Sequence, residues 1–217
     1  KVQVLQSVKA NQLITLQYTD AKLPALQNNE RVFNTTFSDF TAQCNIAYTH
    51  VESQYYDYES QRGLLQKYSQ LGPCIAAGDI NGDGLEDFFV GGAAYQSGKF
   101  FLQNSNGSFL SKDLVQGLKT EEDLAAILFD SDGDKDLDLL ITGGSTEFGK
   151  NSATNAPRLY NNDGKGNFTL NKLALPAGIT LISKAVAAAD YDADGDMDIF
   201  IGSYIEPEKY PSVPQSY

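Results

Sequence analysis

An all-β chain of repeated short-strand units, reading as an incomplete β-propeller, is predicted by three observations on these 217 residues. A nine-residue acidic loop occurs three times, starting at Asp79, Asp130 and Asp190. Each copy runs straight into an apolar stretch, Phe88-Phe89-Val90, Leu139-Leu140-Ile141 or Ile199-Phe200-Ile201, closed by a glycine, as buried strands are. The copies lie 51 and 60 residues apart, a period that points to propellers or solenoids before other folds.

Taken in order, the elements are these. Residues 1–20 alternate around Lys9-Ala10-Asn11 and predict a β-hairpin. Residues 21–32 are polar, with Pro24 and Asn28-Asn29, and read as a linker. The incomplete propeller is assigned to 33–217, although 33–74 carries scattered aromatic anchors and is only a candidate for a further unit. From residue 75 each unit opens with small residues (Ala76-Ala77, Ala125-Ala126, Ala187 to Ala189), suited to a crowded axis. The acidic loop and its apolar strand follow. Further strands are predicted around Phe100 to Leu102 and Phe109, and around Leu159-Tyr160 and Phe168 to Leu170, joined by Asn/Gly-rich turns. Four short strands make a propeller blade. Thr120-Glu-Glu-Asp123 mimics a helix capping box, but the repeat register makes 124–129 a strand. Pro214 to Tyr217 parallels Pro157 to Tyr160, so the chain is expected to stop in mid-unit, as a fragment of a longer protein.

The loops carry the chemistry. Acidic or amide side chains stand at positions 1, 3, 5 and 9: Asp79, Asn81, Asp83 and Asp87; Asp130, Asp132, Asp134 and Asp138; Asp190, Asp192, Asp194 and Asp198. Leu85, Asp136 and Asp196, at position 7, complete the candidate ligands. The side chains of Glu86, Asp136 and Asp196 are expected to point outward or to leave only backbone carbonyls to an ion. So many hard oxygens at one turn suit Ca²⁺, which takes 6–8 oxygen ligands, and three calcium sites are expected. An EF-hand would need a bidentate Glu at position 12, where this chain has Val90, Ile141 and Ile201. Position 6, where positive φ is expected, is Gly84, Lys135 and Gly195, so the middle loop departs from the pattern.

Composition narrows the remaining choices. The net charge is −12, but eleven of the 28 acidic residues stand at loop positions 1, 3, 5 and 9, and without those eleven the chain is close to neutral. No basic cluster supports a nucleic-acid partner, and no apolar run approaches the roughly 20 residues of a membrane helix. Cys44 and Cys74 read as two buried free thiols. His50, near Glu52 and Asp57 and among tyrosines, reads as a hydrogen-bonded packing residue. No serine or cysteine stands in a recognisable nucleophile context. Calcium loops of modest affinity fit an extracellular or periplasmic setting.

Gly72-Pro73 through Gly78-Asp-Ile-Asn-Gly-Asp-Gly-Leu-Glu-Asp-Phe-Phe-Val-Gly-Gly92 resembles the FG-GAP/VCBS repeats of integrin-type β-propellers. Together with Phe37 to Gln43 and Tyr48 to Glu52, it is similar to propeller proteins that carry an ASPIC/UnbV domain, with Lys1 to Asp20 resembling the end of such a domain. The resemblance implies secretion, calcium and binding rather than catalysis. The expected function is a non-enzymatic, calcium-stabilised module at the cell surface, in a bacterial outer membrane or periplasm, or outside the cell, with a protein or glycan partner. The alternatives are an accessory subunit of an outer-membrane uptake or export assembly, and part of a polysaccharide-processing enzyme.

Overall fold

A computed structural model describes residues 38–149, 152–212 and 214–217. The expected hairpin at 1–20, the linker at 21–32 and the ASPIC/UnbV-like segment lie outside the described residues. Within 40–217, one compact unit, the strands form three consecutive antiparallel sheets. The first is a meander of β1 (Ile75–Gly78), β2 (Asp87–Val90), β3 (Lys99–Gln103) and β4 (Phe109–Asp113). The second repeats it with β5 (Asp123–Phe129), β6 (Asp138–Gly143), β7 (Arg158–Asn161) and β8 (Thr169–Leu170). The third is the hairpin of β9 (Ile182–Ala189) and β10 (Asp198–Ile205). Beyond β10, Tyr217 and Ile201 exchange both backbone hydrogen bonds, at 2.6 and 3.0 Å, as the start of a next strand would. The strand at 124–129 forms as the repeat register requires, and the capping-box reading of Thr120–Asp123 loses to it. Among the described residues no sheet closes on itself.

Residues 38–74 do not form a blade. They hold two single-turn helices, α1 (Thr41–Cys44) and α2 (Asp57–Ser60), and no strand among the described residues. Their polar groups are tied down by distant partners instead. Gln96 accepts from Val51 N at 3.0 Å and donates to Thr49 O at 2.8 Å, holding this segment to the β2–β3 loop. Tyr48 packs edge-on against Phe101.

The first strands lie side by side, β1 against β5 and β5 against β9. Side chains alternate across them. Phe89 and Phe100 on one face of the first sheet meet Leu139, Ile141, Tyr160 and Phe168 of the second. Leu140, Leu159 and Ile127 on the far face of the second meet Val186, Ala188 and Ile199 of the third. Phe89, Leu140 and Phe200 therefore occupy the same place in their units. Phe89 and Leu140 are fully buried, whereas Phe200 is 57% exposed, because no sheet follows it among the described residues.

A buried ionic cluster bolts the first two sheets together at the end away from the acidic loops. Asp123, fully buried, accepts from Gly92 N at 2.8 Å, Lys119 Nζ at 2.8 Å and Arg158 Nη2 at 2.6 Å. Burial holds the Lys119 ammonium below its usual pKa, with Asp123 acting against that shift. Lys119 also reaches the carbonyls of Gly92 and Gln96, both at 3.0 Å. An unpaired buried charge is costly, so every member depends on the others. Asp123→Asn is expected to cost about 3–5 kcal/mol in chemical denaturation. Phe89→Ala should cost a similar ~3–5 kcal/mol and Phe200→Ala about 1 kcal/mol or less. Equal losses at the two phenylalanines would overturn their assignment to covered and uncovered faces.

Candidate functional site

The three acidic loops share one hydrogen-bond plan. The position-1 carboxylate caps its own loop. Asp79 accepts from Gly82 N at 2.8 Å and Gly84 N at 2.8 Å, Asp130 from Gly133 N at 2.7 Å and Lys135 N at 3.0 Å, and Asp190 from Asp194 N and Gly195 N at 3.1 Å. The position-5 carboxylate accepts from the position-7 amide: Asp83 from Leu85 N, Asp134 from Asp136 N, Asp194 from Asp196 N, at 2.8 to 3.1 Å. Position 9 reaches back to position 2. Asp87 accepts from Ile80 N at 3.2 Å, Asp138 from Ser131 N at 3.1 Å and Asp198 from Tyr191 N at 2.9 Å.

This plan draws some predicted ligands together and separates others. In the middle loop Asp130, Asp132 and Asp134 bring carboxylate oxygens within 4.8 Å of one another, and Asp190, Asp192 and Asp194 do the same in the third. In the first loop Asn81 stands between two acids. Its amide nitrogen donates to Asp83 Oδ2 at 3.1 Å and its oxygen accepts from Asp83 N at 3.0 Å. The closing acids Asp87 and Asp138 are buried and hold the following hairpin as well, accepting from Gln103 N at 2.7 Å and Asn162 N at 2.8 Å. Burial raises the pKa of Asp87, and its two backbone donors oppose that.

Asp136 departs from the expected outward orientation. Its Oδ1 is buried without a hydrogen-bond partner, and Oδ2 lies so close to Gly164 that an added Cβ there would stand 3.1 Å away. Burial, then its hydrogen bond with Asp134, pushes its carboxyl up to about 6. The signal was the Gly-rich turn at 164–166, whose partner could not be read from the repeat alone.

Position 6 has positive φ in all three loops: Gly84 at 83°, Lys135 at 77° and Gly195 at 97°. Position 4 has it too, at Gly82 (73°), Gly133 (81°) and Ala193 (63°), which the sequence reading missed. Each later loop therefore carries one side chain in the left-handed region, at about 1–2 kcal/mol.

An all-oxygen set of three clustered carboxylates in a tight turn fits a hard divalent cation, and Ca²⁺ above softer metals. Asp132 shows the electrostatic side of that fit: burial and then the neighbouring Asp134 and Asp138 raise its pKa. A bound cation would be held by these carboxylates and would relieve their repulsion.

The remaining candidates resolve as follows. Cys44 and Cys74 are both free, with Cys74 buried and its thiol pushed up to about 12 by burial and then by Asp123. Cys44 is only half-buried. His50 is bonded at both nitrogens, to Tyr48 Oη at 3.2 Å and Glu52 Oε1 at 2.8 Å.

Lys135→Gly and Ala193→Gly should each stabilise the ion-bound protein by up to about 1 kcal/mol, the strain relieved less the unfolded-chain entropy that glycine adds. Gly84→Ala should destabilise it. Calorimetric titration and thermal melts check this; weaker ion binding in both glycine variants would mean the loop backbone is relaxed. Asp138→Asn should lose more stability than Asp136→Asn, because only Asp138 joins loop to hairpin.

No curated protein matches the sequence. Residues 79–141 and 144–201 match the profile of the FG-GAP-like repeat. Each match ends on an acidic loop and its apolar strand. The two together span more than half of the chain, and the protein belongs to the family of FG-GAP-like repeats.

Proposed function

We propose that this chain is a calcium-stabilised, propeller-type binding module that acts without catalysis at the cell surface or outside the cell, through its loops, on a protein or glycan partner. The observation that carries the reading is the recurrence of three carboxylates within 4.8 Å of one another on the same loop backbone, in the second and third repeats. Stacked four-stranded meanders joined by their first strands support the blade architecture. An ion at each loop would fix the β1–β2, β5–β6 and β9–β10 turns and leave the other loops for recognition.

The enzymatic alternative would rest on an acid–base cluster away from the loops, Tyr48, His50, Glu52 and Glu122. Glu122 is 1% exposed, and the others bond one another or the backbone. Those bonds favour a structural role for the cluster. No helix among the described residues is long and apolar enough to cross a membrane.

Each occupied loop stabilises the fold by about 2.7 kcal/mol at a hundredfold excess of Ca²⁺ over its Kd. Chelation should therefore lower the melting temperature by several degrees, and Mg²⁺ should restore little of it, since it prefers a smaller octahedral shell. Unchanged melting after chelation would refute the calcium reading, whatever partner the module binds.

A further inference from the structure

Away from the acidic loops, residues 48–72 are laid over a second set of carboxyl groups. Glu122, just before β5, is 1% exposed. Its Oε1 accepts from Leu71 N at 3.4 Å, the Ser145 side chain also bonds the carboxylate, and Oε2 has no partner. Among its acidic neighbours Glu52 acts on it most, then Glu147. Glu52 is held by His50 Nε2 at 2.8 Å, and Glu147 accepts from Ser53 Oγ and from no cationic side chain among the described residues. Asp57 is occupied by Ser69 and Thr146. Next to it in the chain, Asp123 takes both Lys119 and Arg158, and Glu121 is a further acid. Acids thus gather here and leave Glu122 without a counter-charge among the described residues.

We propose that Glu122 is a proton-controlled latch: as the neutral acid it seats residues 48–72 on the second sheet, and as the carboxylate it loosens them. An ionised Glu122 would be a buried charge without a cationic partner, repelled by Glu52 and Glu147. Two of the segment's moorings, Ser53 to Glu147 and Asp57 to Thr146, use acids of this same cluster, while Gln96 holds Val51 and Thr49 from outside it. The carboxyl is raised from an ordinary 4.5 to about 8, by burial first and then by Glu52. For an acid raised in the closed state, the latch is tightest below about pH 4.5. It weakens as pH rises toward 8 and levels off above that.

Hydrogen exchange on the full chain, at saturating Ca²⁺ and corrected for intrinsic rates, tests this. Protection across 49–71 should fall by up to tenfold per pH unit between about pH 5 and 8, then flatten. Glu122→Gln, which keeps the acceptor for Leu71 and Ser145, should remove the pH dependence while residues 87–103 keep their protection. A Gln variant with the wild-type slope, or a wild type with no slope, overturns the proposal. Glu52→Gln removes the strongest like charge and should move the plateau to lower pH; an unmoved plateau also overturns it.

Discussion

The carboxylate that ends each acidic loop is the constraint on which the rest of the fold depends. Asp87 and Asp138 each stand at the first residue of a strand and accept one amide from their own loop and one from the far side of the next hairpin. A single buried side chain thereby fixes loop shape, strand start and the return of the third strand. Such groups are stable in a core only when their hydrogen bonds are complete. The donors must therefore be in place before the strand can be buried. In the third unit Asp198 is exposed and, among the described residues, accepts only Tyr191 N. The same sequence signal thus has a weaker structural hold where the next hairpin is not laid over it.

Two different electrostatic solutions act at the two ends of the sheets. At one end, like charges are crowded at the surface, where they could hold a cation. At the other, Asp123 is matched inside the protein by Lys119 and Arg158. The first solution responds to the ionic composition of the surroundings. The second is screened little by salt because its members are buried. Sheet-to-sheet contact is consequently secured independently of whatever occupies the loops.

Much of this was legible in the sequence because the information is local and repeated. The apolar runs, their small-residue partners at β1, β5 and β9 and the turn-forming Asn and Gly positions all act within one unit, and three copies calibrate one another. The four-position acidic spacing was legible for the same reason. What was not legible depends on residues far apart in sequence. Residues 38–74 have no period, and their anchors, Gln96, Glu122, Thr146 and Glu147, lie tens of residues away. Ala193 hid a left-handed position because alanine does not announce one as glycine does. Asp136 looked equivalent to Asp196, and it turned inward only because the 161–166 turn of its own sheet packs beside it.

Asn162, on that same turn, holds neighbouring units at once. Its side-chain nitrogen donates to Ile80 O at 2.8 Å in the first acidic loop and to Leu137 O at 3.2 Å in the second. Its oxygen accepts from Gly166 N, and Lys112 of the first sheet donates to Gly166 O. Repeat arrays usually come apart at the seams between units. Here the seam between the first two sheets is crossed by one amide that belongs to neither loop alone. Neither turn can rearrange without disturbing the other, so the pair behaves as one mechanical element, and what is felt at one loop is passed on to its neighbour through Asn162.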